Sequence, residues 1–151
     1  VTYSGTVTAA MEAVIAGVHG VAVSLETVDG YIGEIDYGPA ARAASRVVRQ
    51  VIENGLSHEI LLNVNVPFLP DEKLRGVILT RQGLRVYRDA LDERVDPRGK
   101  PYFWIGGEYP TGVNEPGTDF GALRAGFVSI TPLHLDMTSY KTMDLLKSWK
   151  F

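Results

Sequence analysis

Two runs rich in branched apolar residues, Gly20–Leu25 and Ile60–Val66, narrow most what this chain can become. A strand with one wet face alternates apolar and polar residues, whereas runs this apolar belong to sheets covered by helices. Each run follows an amphipathic helical pattern. In the first, Val7, Ala10, Met11, Val14 and Ile15 recur at helical spacing and Gly17 ends the helix. In the second, Ala40, Ala44, Val47, Val48, Val51 and Ile52 share one face and Arg42, Arg46, Arg49 and Glu53 the other. Pro39 stands near its start and Gly55 supplies its stop. Helix and strand alternating in this way predict an α/β fold with a largely parallel, three-layer arrangement of sheet and helices. With 151 residues, 45% of them hydrophobic and 22% charged, the chain suits a single domain, 1–151, with a real core.

Charge and composition remove several classes of function. A net charge of −3 without clustered Lys and Arg argues against a polynucleotide partner, and the three arginines of the second helix are the wetted side of an amphipathic helix. Without cysteine there are neither disulfides nor thiolate zinc sites. No apolar run is long enough to span a bilayer, so no membrane partner is expected and a cytoplasmic location is the default expectation.

The stretch from Tyr3 to Ala13 is where chemistry is expected. Ser4 can cap the first helix, Gly5 allows close approach to the backbone, and Thr6 adds a second hydroxyl. First-turn amides have no intrahelical partner and carry partial positive charge, so the turn suits an anion, phosphate above all. On local pattern alone the plain cap is the commoner outcome. Asn63 and Asn65 fall on one side of their strand, because side chains alternate, and either brace a loop or reach into a cleft beyond the strand ends.

Further on, residues 77–79 form a short apolar run and 86–95 an exposed antiparallel segment. The turn Asp96-Pro97-Arg98-Gly99 and the returning Tyr102-Phe103-Trp104-Ile105 make a projecting hairpin, about 85–106. Its aromatic cluster needs a cover. Thr118 or Asp119 caps a short helix, Asp119 having a site carboxylate as its less favoured role. Residues 127–131 alternate as a strand that Pro132 closes. His134 and Asp136, two apart on the segment that follows, form either a structural hydrogen bond or an acid/base or metal-ligating pair. His19 and His58 are surface residues. Ser139 caps a last helix with Tyr140, Met143, Leu146 and Trp149 at helical spacing.

Tyr3-Ser4-Gly5-Thr6-Val7 with Ala9-Ala10-Met11-Glu12 resembles a segment of the SurE survival-protein family, metal-dependent phosphatases acting on nucleoside monophosphates. Matches continue in order through Leu62-Asn63-Val64-Asn65-Val66-Pro67, Asp96-Pro97-Arg98-Gly99 with Tyr102-Phe103-Trp104, Gly117-Thr118-Asp119, and Val128-Ser129-Ile130-Thr131-Pro132-Leu133. The resemblance implies a 5'/3'-nucleotidase in which Ser4, Gly5 and Thr6 bind phosphate. Asn63, Asn65 and His134 are candidate cleft-lining residues, and the catalytic residues stay unassigned. It also implies a homodimer or homotetramer built through the hairpin and a swapped tail, about 132–151.

Family members carry an Asn-Asp-Asp-Gly motif, a serine after the next strand and a Gly-x-Asn-x-Gly loop that hold the divalent cation, Mg²⁺ or Mn²⁺. None of the three occurs here, and the chain begins at Val1 without an initiator Met. The expectation is therefore the C-terminal part of a longer enzyme, inactive alone because the metal ligands lie outside it. The alternatives are an oligomerisation or scaffold fragment and a nucleotide-binding module without turnover.

Overall fold

In the computed structural model, which describes residues 1, 3–86, 89–107 and 111–150, helix α1 (Gly5–Ile15) turns back through Gly17, at φ +77°, into strand β1 (Gly20–Leu25). Helix α2 (Gly38–Asn54) leads to β2 (Ile60–Val66), which pairs with β1 in parallel, Ala22 opposite Asn63 and Ser24 opposite Asn65. Strands β3 (Val77–Leu79) and β8 (Val128–His134) complete a four-stranded sheet in the order β1-β2-β8-β3. The β1/β2 and β3/β8 pairings are parallel, while β8 runs antiparallel to β2.

The helices cover opposite faces of this sheet, giving three layers. From α1, Val7, Ala10 and Val14 pack on Ala22, Leu61 and Leu133. On the other face Ala40, Ala43, Val47 and Val51 of α2 meet Val64, Val66 and Val128. Branched residues fill the strand positions because they suit a pleated surface and lose little freedom there. Helix α1 lies so close to β1 that a Cβ on Gly20 would sit 2.3 Å from the carbonyl oxygen of Ala10. Only glycine fits that contact.

Several expectations are corrected by the packing. The buried stripe of α2 runs through Ala40, Ala43, Val47 and Val51, so Val48 is 42% and Ile52 77% exposed. Ile15 of α1 is likewise exposed. The apolar run Val77–Leu79 joins the main sheet rather than an outlying segment. Pro132 does not close β8, which continues to His134. It is tolerated because the last backbone hydrogen bond on the β3 side of β8, Thr80 N–H to Ile130 O, comes before it.

Strands β5 (Asp89–Val95) and β6 (Pro101–Gly107) form a separate antiparallel ribbon. Its turn is held by Asp96, whose carboxylate accepts the N–H groups of Arg98 and Lys100, each at 2.8 Å, with Gly99 at φ +83°. At the ribbon's base β4 (Arg85–Val86) pairs with β7 (Thr111–Gly112). Tyr87 and Arg88, within the expected hairpin, and Phe151 of the expected tail lie outside the described residues. After a short helix α3 (Asp119–Arg124), the tail carries α4 (Tyr140–Leu146), capped by Ser139. Tyr140, Met143 and Trp149 stay exposed, as do Tyr102, Phe103 and Trp104 of the ribbon. Among the described residues no helix is long and apolar enough to cross a membrane.

Candidate functional site

Because α1 runs back along β1, its first turn lies beside the C-terminal ends of β1 and β2, and a cleft of about 250 Å³ opens there. Ser4, Asn63 and Asn65 line it. Gly5 and Thr6 are exposed and do not line it. His134 lies opposite Ile60, at the far end of β2, five residues or about 16 Å along the strand from Asn65. The structure does not bring it to the cleft.

The helix start divides the work of the three residues at its tip. Ser4 is the cap: its backbone is extended, its Oγ accepts the Val7 N–H at 3.3 Å, and its carbonyl accepts Thr8 N–H at 2.9 Å. Thr6 Oγ1 and the N–H groups of Gly5 and Thr6 have no acceptor or donor partner among the described residues, and nothing lies within 4 Å of a Cβ built on Gly5. The turn is therefore open to an anion, with donors already aimed outward.

The floor comes from alternation along three strands. Leu61, Asn63 and Asn65 face the α1 side, and so do their cross-strand neighbours, making one row of Ala22, Asn63 and Thr131 and another of Ser24, Asn65 and Ser129. Apolar residues occupy the part that α1 covers, and small polar residues the part beyond its first turn. Thr131 shares a 2.7 Å hydrogen bond with Thr80, and Asn65 Nδ2 reaches Ser129 Oγ at 3.5 Å. Asn63 is only 4% exposed and lines the cleft, and it makes no hydrogen bond with another described residue. The bracing role considered for this asparagine is absent there.

Sequence reasoning missed the side wall. Gln82, Gly83 and Leu84 line the cleft as part of a strap that runs beside residues 112–119. The strap is fastened by Arg81 N–H to Gly117 O at 3.0 Å, Val113 N–H to Leu84 O at 3.0 Å, and an Arg81–Glu115 ion pair. Phe120 closes the apolar side. A Cβ on Gly112 would meet its ring at 2.5 Å, so this glycine lets the ring approach β7 closely. The strap pairs residues 29 to 36 apart in the sequence, a relation that no local period reveals.

Thr118, not Asp119, caps α3, its Oγ1 accepting Gly121 N–H at 3.0 Å while donating to Glu115 O at 2.6 Å. Asp119 lines the cleft, but its Oδ1 is occupied by the N–H groups of Gly83 and Phe120, both at 2.8 Å. Glu26, the other carboxylate in the lining, accepts Phe68 N–H at 3.2 Å.

The pairing of His134 with Asp136 is corrected too. Asp136 accepts Thr138 N–H at 2.8 Å and the Tyr140 hydroxyl, forming the turn into α4, and no hydrogen bond joins it to His134. Hydrogen bonding from the Thr138 side chain, the Tyr140 hydroxyl and the Thr138 N–H lowers its carboxyl from 3.8 to about 2, and the bond to Asp136 pushes the Tyr140 hydroxyl up. His19 and His58 are exposed and stack on each other with ring centroids 5.5 Å apart. Among the described residues no group of three or more His, Asp or Glu side chains is arranged to hold a metal ion.

A family model described as "Survival protein SurE" matches residues 1–89. A relative named 5'-nucleotidase SurE from Geobacter sulfurreducens is 47% identical over 149 residues, covering 99% of this chain and 56% of the relative. One of the same name from Herpetosiphon aurantiacus is 51% identical over 139 residues, covering 92% and 54%. The crystal structure of the SurE protein from Aquifex aeolicus superposes with a TM-score of 0.73 at 39% identity, covering 97% of this chain and 57% of that one. The chain thus spans a little over half the length of the relatives it matches.

Proposed function

The chain belongs to the SurE family, and from that premise we propose that it supplies the phosphate-binding end of a nucleotidase acting on nucleoside monophosphates. The observation that carries this reading is the open first turn of α1 over a cleft. Gly5 and Thr6 present free amides, Thr6 a free hydroxyl, and Ser4 holds the turn rigid. A phosphate oxyanion placed there meets donors that need no rearrangement, which favours binding and lowers the energy of charge developing during P–O cleavage.

In this reading the divalent ion, Mg²⁺ or Mn²⁺, is held by donors outside these 151 residues. The test compares phosphate release from nucleoside monophosphates, with Mg²⁺ or Mn²⁺ present, by this chain and by a form extended at its N-terminus. Release by the extended form alone is expected. Cation-dependent release by the 151-residue chain would overturn the division of labour, and binding without release by both would favour a sensing module.

The exposed aromatic residues of the β5/β6 ribbon and of the tail support assembly of two or four copies of the protein. Ordered apolar side chains on slender extensions are more stable when covered.

A further inference from the structure

Ser4, Gly5 and Thr6 account for a phosphate, but they leave unexplained why the floor beside them is neutral and polar. Asn63 is the sharpest case. It stands in the second strand of the sheet, 4% exposed, between Ala22 and Thr131, with Leu61 and Val64 at 0% around it in the chain. A carboxamide removed from water without a partner destabilises a fold, and a leucine of similar size would suit the apolar row that begins at Leu61. Asn63 nevertheless lines the cleft and makes no hydrogen bond with another described residue, so its amide is left to whatever fills the cleft. Asn65 and Ser24, one row further out, are also uncharged.

The geometry points to Asn63 as a specificity-determining residue that takes the sugar hydroxyls of a phosphorylated sugar whose phosphate sits at the start of α1. This rests on the phosphate reading and refines it. A neutral amide offers both a donor and an acceptor, as a pair of adjacent hydroxyls requires, and it adds no charge beside the phosphate. The space agrees. At about 250 Å³ the cleft lies just below the roughly 300 Å³ at which pockets for drug-sized ligands begin, so it holds a phosphate and its sugar while a base extends outward past Phe120 and Leu84. Loss of a hydrogen bond that a polar site is built to make is discriminated strongly, because the site's own group is then left unpaired.

The test measures binding by calorimetry with inorganic phosphate, phenyl phosphate and ribose 5-phosphate, on the wild-type chain and on Asn63→Leu, with Asn63→Ala as a smaller second variant. Ribose 5-phosphate is expected to bind at least tenfold more tightly than the other two. Asn63→Leu should abolish that excess, leave inorganic and phenyl phosphate unchanged, and keep or raise the melting temperature. An asparagine with a merely structural role would lower it. Absence of a ribose 5-phosphate excess in the wild type, its survival in both variants, or equal weakening of all three ligands would overturn the inference. Failure of the phosphate reading looks different: inorganic phosphate would bind indifferently to changes at Ser4 and Thr6, whatever happens at Asn63.

Discussion

The Asp119 carboxylate accepts the backbone N–H of Gly83 at 2.8 Å, joining the start of α3 to a strap 36 residues earlier in the chain. This bond makes one wall of the cleft a fixed surface. A hydrogen bond to a charged group contributes about 1.5–3 kcal/mol, and a domain of this size shifts its Tm by about 2–4 °C per kcal/mol. Asp119→Ala should therefore lower the melting temperature by roughly 3–12 °C, while Asp119→Asn, which keeps the acceptor, should recover most of it. Thermal unfolding followed by circular dichroism checks this, and an Ala variant melting with the wild type would refute the tie.

The tip of α1 offers a cleaner separation of stability from binding. Ser4 holds the cap and Thr6 holds nothing in the described fold. Ser4→Ala should cost about 1 kcal/mol of stability, whereas Thr6→Ala, at an exposed position, should stay within about 0.5 kcal/mol. Both should weaken phosphate binding by roughly tenfold or more, because a charge-assisted hydrogen bond is lost. Titration with phosphate beside melting curves decides it. A Thr6→Ala variant with unchanged affinity would move the phosphate away from this turn.

Acid should loosen the entry to the tail before it touches the core. The folded Asp136 carboxyl is lowered to about 2 from 3.8 by its hydrogen bonds to Thr138 and Tyr140. A lowered pKa means that the stabilising effect is complete above the unfolded value and is lost as pH falls through the folded one, here between about pH 4 and pH 2. The Thr138 amide should therefore exchange slowly near pH 5, relative to its intrinsic rate, and lose that protection across the window. Asp136→Asn should remove the pH dependence. An Asp136 titration midpoint near 4 by carboxyl NMR would contradict the hydrogen-bonded turn.

The burial pattern itself can be challenged with two truncations. Leu61 is 0% exposed and Ile52 is 77% exposed. Leu61→Ala should cost about 2–5 kcal/mol, and Ile52→Ala, on the outer side of α2, about 0.5 kcal/mol or less. Denaturant midpoints at constant slope would show the difference.

Assembly is tested by removing residues 89–107. If the ribbon joins copies of the protein, light scattering should give fewer copies per particle for the shortened chain. An unchanged number of copies would point to the tail instead.

Much of the fold was legible in the sequence for a simple reason: β1, β2, α1 and α2 each declare themselves through spacing within one window. The face they share is harder. Alternation put Asn63 and Asn65 on one side of β2, but only pairing with β1 and β8 shows that Ser24, Ser129 and Thr131 stand beside them. The α2 stripe was drawn toward Val48 and Ile52 because both are apolar, though the sheet contacts the helix a third of a turn away, through Ala43. His134 was assigned to the cleft from its chemistry and proximity to Asp136, yet a strand seven residues long places its two ends in different environments. The strap from Arg81 to Leu84 carries no local signature at all, since its partners lie beyond residue 112.

Gly20 is remote from any ligand, but it gauges the depth of the cleft. Its missing side chain lets the Ala10 carbonyl settle against β1, and α1 is a rigid rod whose tip is Ser4. A methyl group there would act as a shim, lifting the rod and carrying the anion-binding turn away from Asn63. The distance between the two halves of the site is thus set from underneath by an atom that is not there, and a change at Gly20 would detune recognition without altering one residue that touches the ligand.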